Sequence, residues 1–439
     1  MAEIKPFHAL RFDSSRVKLA DVLTQPYDKI TPAMQAAYYA RSPHNLVRFE
    51  LGKPEPGDGS SANVYTRAAE FLRQIQRQGI LRRDGAPSFY AYIQKFAHPL
   101  HPEKMLARTG LIALGRIYDY ADKVVFRHEQ TLAKPRADRV NLLRATRTHS
   151  GQLFMLYEDP AGEVESLVCS AIAGRPADES VVDEYGVENL LWRIDDPAAI
   201  KQVSSAMAEK RLIIADGHHR YETAQEYRNA CRAGAVPGDR NAPHECEMMT
   251  LVNMASPGLV VLPTHRVVRG VEGFDPRRLQ RGLEEFCEVK ATASRGAALL
   301  AELAGLGRER TAFAVVTREG CLLAQVKPEK VDLLLGADDF SPLERRLDVV
   351  VLHEAVLRRI LNISAQAVRE QRNVRYYRSD AEAVQEVANG ADATFLLNPV
   401  SVSTMRDVCY AGHVMPQKST DFYPKLLSGL TLADLDQCF

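Results

Sequence analysis

The sequence has no surplus of charge of either sign, since 56 Lys and Arg residues balance 56 Asp and Glu residues. Proteins that bind nucleic acid or an anionic membrane over a broad surface carry a clear positive excess. Long apolar runs are also missing, because no stretch approaches the roughly 20 apolar residues of a membrane helix. The first residues, MAEIKPFHALRF, lack the apolar core and cleavage site of a signal peptide. The sequence therefore predicts no membrane partner and does not favour nucleic acid as a partner.

Cysteine pairs and common catalytic signatures are missing as well. The seven cysteines are scattered and form no CxxC pair, which argues against a disulfide framework and a cysteine zinc site. We therefore expect a protein of the reducing cytoplasm. The Walker loop, the kinase HRD and DFG motifs, the Rossmann glycine pattern and the GxSxG elbow do not occur. Any phosphoryl transfer by this chain would need another scaffold.

The 439 residues, 46% of them apolar, suffice for two or three packed domains. Their periodicity predicts an α/β (α+β) protein in which strands and helices alternate. Short strands and turns are predicted over the first 60 residues, and an antiparallel pair is predicted at SFYAYIQKFA and RTGLIALGRIYDY. Further strands are predicted at QLFMLYE, RLIIAD and LVVLPTHRVV. A weak boundary near Gly270 divides a site-bearing α/β domain, 1–270, from a second α/β region, 271–439, that completes or flanks the site.

The most informative segment is Asp216-Gly217-His218-His219-Arg220, where a buried strand turns into a helix. The first backbone N–H groups of a helix lack partners within it and favour an anion, above all a phosphate. Gly217 permits a close approach to the backbone, and Arg220 offers a forked cation for phosphate oxygens. His218 and His219 add donors, but as neighbours in sequence they lack metal-binding spacing, and no metal site is predicted. Asp216 could orient a hydroxyl, accept its proton, hold a cation or only cap the helix.

The run DGHHRYETA resembles the signature loop of the ParB/sulfiredoxin superfamily, and most closely that of its free-serine kinases. This resemblance implies a strand–loop–helix site for nucleotide phosphates, set within a larger mixed-sheet protein. Sulfiredoxin has a Cys where this chain has His218, so sulfinic-acid repair is not implied.

Nearly the whole chain resembles the domain of unknown function 1015 family of bacteria and archaea. The segments that carry this second resemblance are QPYDKI, RHEQTLAKPRADRVNLLRAT, ADGHHRYETA, LPTHRVV, LDVVVLHE and MPQKSTDFYPKL. They indicate family membership and do not indicate an activity.

Other polar residues are candidates for the same chemistry. Glu129 could be a general base, and a cationic cluster that includes Lys134 and Arg139 follows it; a capping arrangement and a solvated helix face explain them equally well. Asp28, in the PYD turn, could be a catalytic carboxylate, although turn aspartates commonly bond their own backbone. Further candidates for phosphate binding are His265, Arg266 and Lys418.

Together these features favour an enzyme, a small-molecule kinase that uses ATP or ADP with Mg²⁺. By resemblance, free L-serine is the first acceptor, giving O-phosphoserine. Gly217, His218, His219, Arg220, Arg139, His265, Arg266 and Lys418 would bind the nucleotide phosphates, with His218 and His219 also stabilising charge in the transfer. Asp216, Glu129 or Asp28 would take the proton. Two alternatives stay open: a nucleotide-sensing, ParB-like regulatory protein, and a hydrolase of a small phosphorylated metabolite.

Overall fold

The computed structural model describes residues 2–129, 136–234, 239, 241–335 and 340–439. Within these segments the helices are α1 (Leu19–Val22), α2 (Pro32–Arg41), α3 (Val47–Glu50), α4 (Val64–Arg77), α5 (Arg136–Thr146), α6 (Glu163–Ile172), α7 (Pro197–Met207), α8 (His218–Gly234), α9 (Pro276–Glu284), α10 (Gly296–Glu309), α11 (Pro328–Leu335), α12 (Asp348–Val351), α13 (Ala365–Arg369), α14 (Asp380–Ala388) and α15 (Val402–Tyr410). None of them is long and apolar enough to cross a bilayer.

The strands of the same segments are β1 (Ile4–Lys5), β2 (Leu10–Phe12), β3 (Leu81–Arg83), β4 (Phe89–His98), β5 (His101–Arg116), β6 (Val125–Arg127), β7 (Thr148–His149), β8 (Leu153–Tyr157), β9 (Glu179–Val182), β10 (Glu188–Ile194), β11 (Leu212–Asp216), β12 (Cys246–Asn253), β13 (Val260–Leu262), β14 (His265–Val268), β15 (Cys287–Thr292), β16 (Ala312–Thr317), β17 (Gly320–Val326), β18 (Val374–Tyr377), β19 (Ala393–Leu397), β20 (Asp421–Tyr423) and β21 (Ala433–Asp434). The predicted mixed α/β class is confirmed.

The described residues form two compact units. The first comprises Met1–Arg127, Thr131–Val260 and Pro424–Phe439, and the second comprises His128–Gln130 and Val261–Tyr423. The boundary predicted near Gly270 refers to domains, whereas these units are defined by compactness. The predicted domain boundary therefore stays a prediction.

A mixed sheet organises the first unit, with strand order β6-β11-β8-β12-β5-β4-β10-β9 and β1 paired to β5. Its strands β8, β11 and β12 are buried along almost their whole length, as expected of strands covered on both faces. Strand β11 runs parallel to β6 and antiparallel to β8. Helix α8, which follows β11, packs against α5, and α5 packs against α4. The end of β11 therefore leads into a layer of helices that consists of α8, α5 and α4.

The second unit contains a sheet with strand order β15-β17-β16-β19-β14-β18. Adjacent strands are antiparallel throughout this order. Helices α10 and α14 pack on it, and their apolar residues Leu299, Leu303 and Ala383 join the core of the sheet.

Most strongly periodic elements were predicted correctly, including the antiparallel pair β4–β5, strand β11 and helix α8. The prediction of only strands and turns for the first 60 residues is wrong, because helices α2 and α3 lie there. The single strand predicted at LVVLPTHRVV is also wrong, since Pro263 and Thr264 separate β13 from β14. A proline has no N–H for a sheet ladder, which explains the interruption.

Candidate functional site

The DGHHR segment forms a tight turn between β11 and α8. The strand ends at Asp216 and the helix begins at His218. Between them, Gly217 has a left-handed backbone (φ +95°), which glycine adopts without strain. The Gly217 carbonyl accepts a hydrogen bond from the backbone N–H of Tyr221 at 3.0 Å. The N–H groups of the first turn therefore lie ahead of the helical ladder, at a position that favours anions.

The cations around Asp216 hold it as an ionised carboxylate. Lys425 Nζ lies 2.9 Å from Oδ2, and the backbone N–H of Gly217 donates to Oδ1 at 2.8 Å. Burial alone would raise the pKa of this carboxyl group, but the positive charges of Lys425, Arg220 and Lys29 outweigh burial and lower the pKa well below its usual range. Such a carboxylate is a weak proton acceptor. Asp216 therefore suits orientation, or contact with a cation, better than base catalysis.

Arg220 keeps its charge in a partly buried position beside this turn. Its Nη1 donates to the backbone carbonyl of Gln152. Burial by itself would lower the pKa of the guanidinium, but the negative charges of Asp216 and Asp28 act in the opposite direction and the pKa lies above its ordinary value. A permanently charged fork therefore stands at the first turn of α8, as anion binding requires.

A cavity of about 50 Å³ adjoins Arg220 within the first unit. Helices α3, α5 and α8 and two loops supply several of its charged and hydroxyl-bearing lining residues: Glu50, Arg139, Ser150, Arg220, Thr223 and Ser428. Gly151 also lines it, and a Cβ at Gly151 would lie 3.0 Å from Nη1 of Arg220 and 3.4 Å from Oε1 of Glu50. The absence of a side chain at Gly151 therefore keeps this space open.

Glu50, the last residue of α3, places a buried carboxyl group in the lining of the cavity. Its exposed fraction is 2%. Burial raises the pKa of this carboxyl group, and hydrogen bonds from Ser150 and Ser428 together with the nearby arginine charges offset only part of the rise. A carboxylate with a raised pKa accepts a proton near neutral pH more readily than Asp216 does.

The PYD turn and Arg139 belong to the same neighbourhood. The guanidinium carbon of Arg139 lies 4.3 Å from the ring centroid of Tyr27, and its Nη1 donates to the Glu50 carbonyl at 2.7 Å. Asp28 Oδ2 lies 4.0 Å from Lys29 Nζ, and the charge of Asp28 contributes to the raised pKa of Arg220. The first unit therefore brings Arg139 and Asp28 to the DGHHR turn.

The two histidines of the pentad occupy the first turn of α8. His218 is buried, with 5% of its surface exposed, and His219 is half-buried. Their predicted contact with phosphate stays a prediction.

The remaining sequence candidates lie in the second unit. Glu129 accepts a hydrogen bond from the backbone N–H of Lys418 at 3.0 Å. Arg266 is 1% exposed, donates to the carbonyls of Thr264 and Lys418, and lies over the ring of Tyr376, 5.3 Å from its centroid. Glu129, Arg266 and Lys418 are thus neighbours.

His265 is buried in the sheet of the second unit. Its Nδ1 accepts a hydrogen bond from the backbone N–H of Leu397 at 3.2 Å, and burial lowers its pKa to about 4. Lys134 lies outside the described residues.

Two residues that sequence reasoning did not assign to the DGHHR turn belong to it. Lys425 lies in the segment MPQKSTDFYPKL, which the sequence marks only by its family resemblance, and it pairs with Asp216. Glu50 is not among the site residues that the sequence predicts. Its one signal in the sequence is that a carboxylate occurs within the largely apolar stretch NLVRFEL. Nothing in the sequence pattern shows that this carboxylate is buried beside two arginines.

The similar solved structures that comparison with known proteins gives are of low identity, and three of them follow. A free serine kinase mutant in complex with ADP is 14% identical, with 73% of this chain and 92% of that chain covered and a TM-score of 0.36. A conserved hypothetical protein from Pyrococcus furiosus is 13% identical, with 75% and 97% covered and a TM-score of 0.36. C-terminally truncated SbnI from Staphylococcus aureus is 12% identical, with 73% and 87% covered and a TM-score of 0.36. No curated protein matches the chain.

The family comparison covers most of the sequence. The model of the family described as "Protein of unknown function (DUF1015)" matches residues 4–350. This range includes the PYD turn, the DGHHR turn and β14. The match confirms the membership predicted from the sequence motifs, and the chain belongs to the family Protein of unknown function (DUF1015).

Proposed function

We propose that this protein binds a nucleoside di- or triphosphate at the DGHHR turn and transfers a phosphoryl group to the hydroxyl of a small metabolite. The observation that carries the proposal is one cavity in the first unit with three features at its edge. These are the first turn of a helix, the charged fork of Arg220 and the buried carboxyl group of Glu50. Phosphoryl transfer relies on positioning and charge neutralisation, which such a set can provide.

In this proposal, backbone N–H groups of the first turn and Arg220 hold phosphate oxygens, with Arg139 nearby. His218 and His219 stabilise charge on the transferred group. The acceptor oxygen forms a new bond to phosphorus while the bond from phosphorus to the leaving nucleotide oxygen breaks. The hydroxyl proton passes to Glu50, whose raised pKa suits this role. Asp28 is the alternative proton acceptor within the first unit.

Mg²⁺ is the expected companion of the nucleotide. Protein sites for Mg²⁺ commonly use one or two carboxylates together with substrate phosphates, and the ionised Asp216 fits this donor set. When bound, the ion would neutralise phosphate charge. Lys425, now 2.9 Å from Asp216, would then act as a second cation toward the phosphates.

Free L-serine is the first acceptor to test, because the DGHHR turn resembles that of free-serine kinases. Purified protein is incubated with Mg²⁺, ATP or ADP, and L-serine, and products are followed by ³¹P NMR. We expect a phosphomonoester signal that is lost in Arg220→Ala and kept in Arg232→Ala. Arg232 is a matched control because it lies on the same helix and pairs with Glu245 instead, at 2.6 Å.

Three additions to this experiment separate the two alternatives: a measurement of nucleotide binding, a wider set of acceptors, and phosphorylated metabolites as substrates. Binding of a nucleotide without transfer to any amino acid or sugar alcohol would contradict the kinase proposal and favour a nucleotide sensor. Release of inorganic phosphate from a phosphorylated metabolite, without nucleotide turnover, would favour a hydrolase.

A further inference from the structure

A buried histidine–glutamate pair stands in the lining of the cavity beside Arg220. His149 Nδ1 lies 2.9 Å from Oε2 of Glu247, and both side chains are almost fully buried, at 6% and 4% exposed. Strand β7 carries His149, and β7 is held by pairing with β21, where His149 is opposite Ala433. Glu247 belongs to the central strand β12. The pair therefore joins two strands that belong to different sheets.

The other ring nitrogen of His149 is buried and has no hydrogen-bond partner. A carboxylate accepts hydrogen bonds, so contact with Glu247 places a ring proton on Nδ1. In the singly protonated form of the ring, Nε2 then has a lone pair on the side of the ring opposite Glu247. Since a buried polar atom is normally hydrogen-bonded, this lone pair indicates a donor group that the protein does not supply.

A second buried polar atom without a partner lines the same cavity. Thr223 is 4% exposed, and its Oγ1 has no hydrogen-bond partner. Thr223 follows Arg220 by three positions on α8, so the two side chains project from the same face of the helix. The cavity, at about 50 Å³, exceeds the space of roughly 10–15 Å³ that one water molecule needs. It therefore has room for several atoms of a small polar ligand.

We propose that His149 and Thr223 form the subsite for a second donor group of the phosphoryl acceptor, so that the acceptor is an amino alcohol or a polyol. This inference rests on the proposed function. The reacting hydroxyl lies toward Glu50 and Arg220. The neighbouring amine or hydroxyl donates a hydrogen bond to Nε2 of His149 and contacts the Thr223 hydroxyl. A compound with a single hydroxyl leaves Nε2 unsatisfied and is used less well.

Two substitutions remove the subsite with little change of shape. His149→Asn can keep a donor toward Glu247 while it removes Nε2, and Thr223→Val replaces the hydroxyl by a methyl group. Thr24→Val is the matched control for the second, because Thr24 is also fully buried with an unpartnered Oγ1 and does not line the cavity.

The kinetic test compares acceptors that differ by one donor group. L-serine is compared with 3-hydroxypropionate, and 1,2-propanediol with 1-propanol, to distinguish an amine from a hydroxyl. We expect wild type and Thr24→Val to prefer the two-donor compound by about tenfold in kcat/KM, as one hydrogen bond provides. His149→Asn and Thr223→Val should lose most of this preference. An unchanged preference in both variants would overturn the subsite while the kinase proposal stands.

A binding test does not depend on turnover. Protein labelled with ¹⁵N-histidine is titrated with L-serine, ethanolamine and glycerol, and the Nε2 signal of His149 is assigned by its absence in His149→Asn. A shift with at least one probe supports the subsite, even if no nucleotide is turned over and the kinase proposal fails. No shift with any of the three would mean that the cavity holds water only and would overturn the inference.

Discussion

The same dipeptide, His-Arg, occurs beside a buried strand in both units, with opposite consequences. His219-Arg220 opens helix α8, where the first N–H groups precede the helical ladder and Arg220 borders a cavity. His265-Arg266 opens strand β14, whose backbone pairs with β18 on one side and β19 on the other. The first N–H groups of a helix have no partner within the helical ladder, whereas the backbone of β14 is bonded to strands on both sides.

The surroundings of the two arginines differ in the same way. Arg220 is surrounded by negative charges, and its pKa lies above the ordinary value. Burial lowers the pKa of Arg266 to about 10, and among the described residues Arg266 forms no ion pair with a carboxylate. Residue types alone therefore do not distinguish an arginine that borders a cavity beside carboxylates from one buried against backbone carbonyls.

The largest effect should follow from a change beside Arg220. Glu50→Gln should lower kcat by about 10²–10⁴-fold, because it removes the proton acceptor, while the affinity for nucleotide stays within a few-fold. Because the pKa of Glu50 is raised, wild-type kcat should fall as pH drops toward that pKa, and the variant should lose this dependence. Initial rates from pH 5 to 9 check both statements.

Glu179→Gln is the control for Glu50, since burial also raises the pKa of Glu179 and it does not line the cavity. Equal loss of rate in both variants would indicate a general structural effect and would remove Glu50 from the mechanism.

A large effect on stability is expected at Arg266. Arg266→Ala should lower the free energy of unfolding by about 2–3 kcal/mol, because it leaves buried carbonyls without donors and opens space over Tyr376. Urea unfolding measures this change. A variant of normal stability that no longer binds nucleotide would break the comparison, since Arg266 would then act like Arg220.

The third prediction concerns Asp348, a buried acid of the second unit. Burial raises the pKa of Asp348 to about 7, against an ordinary value of 3.8. The folded protein therefore binds the proton of Asp348 more tightly than the unfolded chain does. This difference contributes fully to the free energy of unfolding below pH 4, and the contribution is lost as the pH rises through 7. Asp348→Asn should flatten this decline and raise stability at pH 8 by about 2 kcal/mol relative to wild type. If the free energy of unfolding changes by the same amount between pH 5 and pH 8 in wild type and in Asp348→Asn, this prediction is wrong.

The smallest effect concerns the cavity volume. Gly151→Ala should raise the KM for the acceptor by a few-fold without a large change in stability, because the new methyl group narrows the space between Arg220 and Glu50. Gly305→Ala is the control, since a Cβ there meets no atom within 4 Å. An acceptor KM identical to that of wild type would show that the acceptor does not enter this cavity.

The sequence predicts the strand–turn–helix of the DGHHR segment because a continuous apolar run, a glycine and a helical period follow one another. It also names Arg139 and Asp28, which the fold brings to the turn. It misses Lys425 and Glu50, whose roles depend on contacts between segments far apart in the chain. The predictions at His265 and Arg266 rest on residue type, and local pattern does not reveal how deeply a strand is buried or which carbonyls face its side chains.

The most direct test of a phosphate site at the DGHHR turn is a thermal-shift titration with ATP, ADP, CTP and inorganic phosphate, each with Mg²⁺. A ligand at a hundredfold excess over its Kd stabilises the folded state by about 2.7 kcal/mol. We predict that at least one nucleotide raises the Tm of wild type and of Arg232→Ala. The same nucleotide should raise the Tm of Arg266→Ala, which is lower at the start, and should not raise the Tm of Arg220→Ala. An equal rise in Arg220→Ala, or no rise in wild type with any of the four ligands, would contradict the assignment of the DGHHR turn as the phosphate site.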